Sequence, residues 1–146
     1  MKGFVSVAVL VTALLVGTAA TAGADAAYHS ERLELTGAAD PDFHGQVVNV
    51  HANGPVIGAL ERYQVVGATP TTSYEVWIQL CTAGDFVDFI PTAVLVTDPH
   101  GNGHAQAAFS AEDLEPFSGS TISIRWALKS GGTIVYTTPC TTVTID

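Results

Sequence analysis

Five histidines, two cysteines and fourteen carboxylates are the residues of this 146-residue chain with the most reactive side chains. The densest group is Thr97-Asp98-Pro99-His100-Gly101-Asn102-Gly103-His104, in which Asp98, His100 and His104 could flank one cation. Calcium requires several hard oxygen ligands. Asp98, Asn102 and Gly103 match the first, fifth and sixth positions of a calcium loop, but His100 and Phe109 stand where acids are needed. A turn between two strands, with Gly and Asn in left-handed conformations, accounts for the same residues more simply. Metal ligation by Asp98, His100 and His104 is therefore the weaker reading. No two histidines stand two apart, so no His-x-His copper pair exists. His51, in phase with Asn49 along a strand, reads as a solvent-side polar residue.

Nucleophilic chemistry has less support. The chain has no Gly-x-Ser-x-Gly elbow. The carboxylate groups Asp85/Asp88 and Glu112/Asp113/Glu115 have the residue types of glycoside hydrolysis, but they sit in loop-like surroundings and read as solvated charges. Neither an enzymatic activity nor a cofactor is expected.

The N-terminus changes how the cysteines are read. Lys2 precedes the apolar run from Phe4 to Val16, and small residues follow, with Ala-x-Ala sites ending at Ala22, Ala24 and Ala26. This order describes a secretory signal peptide. The run is shorter than the about 20 residues a bilayer-spanning helix needs. Cleavage after Ala26 leaves residues 27–146 as one domain, expected outside the cell with no stable membrane anchor. In that oxidising space Cys81 and Cys140 are expected to form one disulfide, stabilising the fold by about 4 kcal/mol through the long loop it closes.

The elements that carry these residues are strands. Tyr74, Val76, Ile78 and Leu80 alternate along Ser73–Cys81, and Ile122, Ile124, Trp126 and Leu128 alternate along Thr121–Leu128. A period of two marks a half-buried strand. Further strands are expected at 31–35, 46–52, 57–66, 93–97, 104–109, 133–138 and 141–145, separated by Gly, Pro, Asn and Asp clusters. Residues 27–30 read as a frayed terminus. The one helical signal is a single turn after Ser110, which serves as its N-cap, and Pro116 ends it. Eight or nine short strands predict an antiparallel β-sandwich, with a closed barrel as the alternative.

Pro70-Thr71-Thr72-Ser73-Tyr74 resembles the P-x-T-x-Y corner of immunoglobulin-like and fibronectin-like sandwiches, in which the tyrosine hydroxyl bonds back to nearby backbone. The resemblance implies an immunoglobulin-like fold. Val50-His51-Ala52-Asn53-Gly54-Pro55, Tyr63-Gln64-Val65-Val66-Gly67, Pro70 to Tyr74 and the Thr97–Gly103 turn together resemble exported bacterial sandwich proteins of unknown function. Thr72 to Val76 followed by Cys81, with Thr97-Asp98 before a Gly-Asn-Gly turn, is similar to the apoproteins of neocarzinostatin-type chromoproteins. Those hold a labile ligand in a cleft, but they have two short-range disulfides and this chain has cysteines for one.

Charge narrows the partners. A formal net charge of −9, with dispersed acids and few bases, excludes nucleic acid and anionic lipid as docking surfaces. The leading expectation is a non-catalytic binding domain for a protein, glycan or small molecule. Trp77, flanked by Glu75 and Gln79 on the face opposite the apolar stripe, is its candidate contact surface. The alternative is a small-ligand carrier with an apolar cleft.

Overall fold

Alternation along extended chain sets the architecture. The computed structural model describes residues 27–37, 41–53 and 58–145, so the expected signal segment, residues 1–26, lies outside the described residues. Among those described, nine strands are present: β1 (Ala27–Gly37), β2 (His44–Asn53), β3 (Ala59–Val66), β4 (Ser73–Cys81), β5 (Phe86–Val96), β6 (Gly103–Phe109), β7 (Ser120–Ser130), β8 (Thr133–Thr137) and β9 (Thr141–Ile145). A helical turn, α1 (Ala111–Leu114), and a 3-10 turn (Glu115–Phe117) join β6 to β7. Ser110 caps α1 in a reciprocal capping box with Asp113, satisfying backbone donors that the short helix leaves free.

Every pairing is antiparallel, and the hydrogen-bonded order is β5-β4-β7-β8-β1-β2-β3-β6, with β9 also on β7. One layer is β1-β2-β3-β6. The other is β5-β4-β7, whose outer edge pairs with β9 at Ser120–Ile124 and with β8 at Ala127–Ser130. β1 belongs to both layers: Ala27 to Leu35 pair with β2, and Thr36 and Gly37 pair with β8. The result lies between the two expected architectures. It is a nearly barrel-like sheet whose hydrogen-bonded path ends at β5 and β6.

The apolar stripes meet between the layers. Trp126, Leu128, Val76, Tyr74 and Leu95 face Leu35, Val47, Tyr63 and Val65, all 2 % exposed or less. Each such side chain removed from water stabilises the fold by about 1.5–3 kcal/mol.

The backbone and its corner contacts depart from expectation in three places. Residues 27–30 belong to β1 rather than to a frayed end, because β2 extends far enough to pair with them. β5 begins at Phe86, seven residues before its alternation becomes visible. Bulges opposite Val76/Trp77 and Ile78/Gln79 shift its register, and each shift hides the period of two. Pro91 fits there because β5 ends the path and has one ladder edge free. The third difference is the Tyr74 corner. Tyr74 is buried, but its hydroxyl has no hydrogen-bond partner among the described residues. Buried Thr97 holds this corner instead, donating to the Thr69 carbonyl at 2.7 Å and accepting the Thr72 N–H at 2.9 Å. Across the same corner, Gly101 (φ +80°) lies so close that a Cβ would stand 2.1 Å from the Ala68 carbonyl oxygen.

Cys81, at the end of β4, is bonded to Cys140, just before β9, across 59 residues of sequence. Replacing both cysteines with serine is expected to lower unfolding free energy by about 4 kcal/mol. Equilibrium denaturation in urea, with and without the bond, measures the difference.

Candidate functional site

Sheet register sorts the positions of the first layer that are in phase with the core into four rows. Two rows are apolar: Leu35, Gly45, Val65 and Gly103, then Leu33, Val47, Tyr63 and Ala105. The next row is Glu31, Asn49, Glu61 and Ala107, and the last is His29, His51, Ala59 and Phe109. One end of the interior is therefore ordinary core, while the other carries polar groups in phase with it.

Glu61 is the centre of that polar end. It is 3 % exposed, and its Oε2 accepts hydrogen bonds from the Tyr63 hydroxyl and, at 2.9 Å, from Trp126 Nε1 across the interior. The Tyr63 oxygen is also 2.8 Å from Thr92 Oγ1 on β5. Burial pushes the Glu61 carboxyl above its ordinary value of 4.5, against the two hydrogen bonds that favour the ionised form. Burial and the neighbouring carboxylate push the Tyr63 hydroxyl up as well, so it stays a donor. Beside Glu61, Asn49 is 3 % exposed. Glu31 accepts a hydrogen bond from Thr141 on β9 at 2.7 Å. The rings of His29 and His51 lie 5.1 Å apart.

Asn49, His51 and Glu61 border a cavity of about 320 Å³ between the layers. Asn49, His51, Ala59 and Glu61 line it from the first layer, and Ile78, Ile90, Ile122, Ile124 and Val143 from the second. Leu114 of α1 and Phe117 of the 3-10 turn line one side, with Phe117 packed edge-on against Phe89, 5.4 Å between centroids. A mostly apolar cavity with a few oriented polar groups is the usual form of a small-molecule site.

Asn49 and His51 correct the sequence reading, which put them on the solvent side. Both follow Val47 in phase, and Val47 is fully buried. Glu61 was legible by the same rule: it alternates with Tyr63 and Val65, two residues of the core.

The residues singled out from sequence lie elsewhere. Asp98 Oδ1 accepts the backbone N–H groups of His100 (2.7 Å) and Asn102 (2.9 Å), and the Asn102 bond is the main cause of its lowered pKa. The carboxylate thus ties the turn together, while His104 has moved on to β6. Among the described residues no cluster of three His, Cys, Asp or Glu is arranged to hold a metal. The left-handed residue of this turn is Gly101, and Asn102 is not one.

Glu75, Trp77 and Gln79 do share the outer face of the second layer, but as parts of a bonded lattice. Gln79 is 2 % exposed, donating to Asp88 at 2.8 Å and accepting from Arg125 Nε at 2.9 Å. Its burial departs from the expected contact surface, because Asp88 and Arg125 flank it on both neighbouring strands. Asp88 also pairs with Lys129, so it is a strand residue with partners rather than a solvated loop charge. Lys129 lies 4.7 Å from the Trp77 ring centroid and Arg125 3.2 Å from that of Phe86. Trp77 is half-buried, and its Nε1 donates to Glu75 at 3.2 Å.

No protein-family model matches the chain, and neither a curated protein nor a solved structure matches it. Fold and site together define an all-antiparallel β domain with one disulfide and a cavity between its layers.

Two titrations test these environments. Below pH 4.5 both folded and unfolded chains hold the Glu61 proton; as pH rises, the unfolded chain releases it first and the folded state loses stability. Glu61→Gln keeps an acceptor oxygen without the charge. It is expected to gain about 1–2 kcal/mol at neutral pH and nothing at pH 3, as read by urea denaturation across pH. Asp88 has the opposite sign, since hydrogen bonds from Lys129 and then Gln79 lower its pKa from 3.8. Asp88→Asn, whose amide oxygen can still accept from Gln79, should cost about 1 kcal/mol at pH 7, a half-exposed pair being worth no more, and the cost should vanish as pH falls below the folded value.

Proposed function

We propose that this protein is an exported, non-catalytic carrier that binds a small apolar molecule between its β layers. The observation that carries this reading is the cavity of about 320 Å³, with buried Glu61 held by Tyr63 and Trp126 at its wall. A core designed only for stability fills such space, because each void forfeits packing contacts and each buried carboxyl costs solvation. Here both costs fall at one end of the domain, where the register also gathers Asn49 and His51.

Export is supported by the signal-like N-terminus and by the disulfide. Among the described residues no helix is long and apolar enough to cross a membrane. The resemblance to chromoprotein apoproteins agrees with a carrier in kind. The alternative, docking of a macromolecule through Glu75, Trp77 and Gln79, has less support, since Gln79 is buried and Trp77 is engaged by Glu75 and Lys129.

The uncharged fluorophore N-phenyl-1-naphthylamine is expected to bind the protein with enhanced emission. Ala59→Phe, which puts a ring into the cavity, should weaken that binding about tenfold or more while the far-ultraviolet β signature persists. Equal probe binding by the wild type and the folded variant would rule out the cavity as the site.

A further inference from the structure

The distribution of charge around the cavity bears on what it holds. Its polar lining residues are Asn49, His51, Glu61, Asp113 and Thr144, so two carboxylates border it and neither lysine nor arginine does. The four described cations are placed elsewhere. Arg125 and Lys129 belong to the outer lattice of the second layer, while Arg32 and Arg62 alternate outward from the inward positions Glu31, Glu61 and Tyr63. Asp113 is engaged with Ser110 in the α1 cap. That leaves Glu61 as the buried charge of the site. Both of its recorded hydrogen bonds fall on Oε2, which orients the group before any ligand arrives. Phe89, Phe109 and Phe117 add aromatic faces to the lining, and such faces attract cations.

Resting on the carrier reading, we propose that the cavity selects an apolar ligand bearing a protonated amine, with the Glu61 carboxylate as its counter-charge. A fatty acid would bring a second negative charge beside Glu61 in a water-poor site, which is strongly unfavourable. A neutral alcohol would satisfy the carboxyl by one hydrogen bond but leave its charge unpaired. An ammonium group supplies both the hydrogen bond and the opposite charge, and a pre-oriented partner loses little freedom on binding. The burial that pushes the Glu61 carboxyl towards its protonated form is offset when a cation binds beside it. The net charge of −9 draws cations towards the protein from a distance.

The test compares octylamine, 1-octanol and octanoate at pH 7 by calorimetry on the wild-type protein and on Glu61→Gln. Trp126 emission, isolated by Trp77→Phe, provides a second readout at the Glu61 hydrogen bond. Octylamine is expected to bind about tenfold or more tighter than octanol, and octanoate weakest. In Glu61→Gln the amine-to-alcohol ratio should fall to about one. Octanol or octanoate binding as well as octylamine to the wild type would overturn the amine selectivity while leaving the carrier reading intact. Failure of all three to bind would overturn both. The wild-type ranking decides the matter even if the variant proves unstable.

Discussion

A carboxyl group inside an apolar interior is tolerated only when its oxygens find donors, and in this protein one such group binds the two layers together. Glu61 belongs to β3 of the first layer. Its donors are Tyr63 on the same strand and Trp126 on β7 of the second, and Tyr63 in turn reaches Thr92 on β5. The chain of hydrogen bonds runs through the largest fully buried side chains among the described residues, Trp126 and Tyr63. A buried network of this kind has few acceptable geometries, so it sets the spacing of the layers as well as the orientation of its members. The cavity lies beside it because the row that contributes Glu61 also contributes Asn49, which cannot close the space as a leucine would.

The disulfide and the outer lattice act on the other end of the same problem. β7 is flanked by β4 on one side and by β8 and β9 in turn on the other. The Cys81–Cys140 bond ties the end of β4 to the start of β9 across that strand's neighbourhood. On the outer face, Gln79, Asp88, Arg125 and Lys129 hydrogen-bond one another, and β7 is buried on both faces from Trp126 to Lys129. Trp126 is thereby held on a strand paired along both edges. Positioning a hydrogen-bond donor for a site is most effective on such a rigid element.

Much of the fold was legible from one rule, the alternation of side chains along extended backbone. It located β4 and β7 closely and placed all nine strands in outline. It failed where backbone irregularity changes the period, at the bulged first half of β5. The helical turn at Ser110 was also readable, because capping is decided by residues within four positions of each other. The Tyr74 corner was not. Its motif suggested a hydroxyl bonded to backbone, but the hydrogen bonds depend on Thr97, whose side chain arrives from just beyond the end of β5.

Sequence by itself determined the strand pattern, the pairing of two cysteines with no alternative partners, the acidic balance and the turn held by Asp98. These depend on near neighbours or on counting. Tertiary structure decided which polar residues face inward together, because Glu61, Asn49 and Trp126 come from three strands whose register no local pattern encodes. It also decided that Gln79 is buried, since covering an outward position requires long side chains from the strands on both sides. The cavity belongs wholly to this second class: space between layers is a property of their distance and twist, and no single strand carries it.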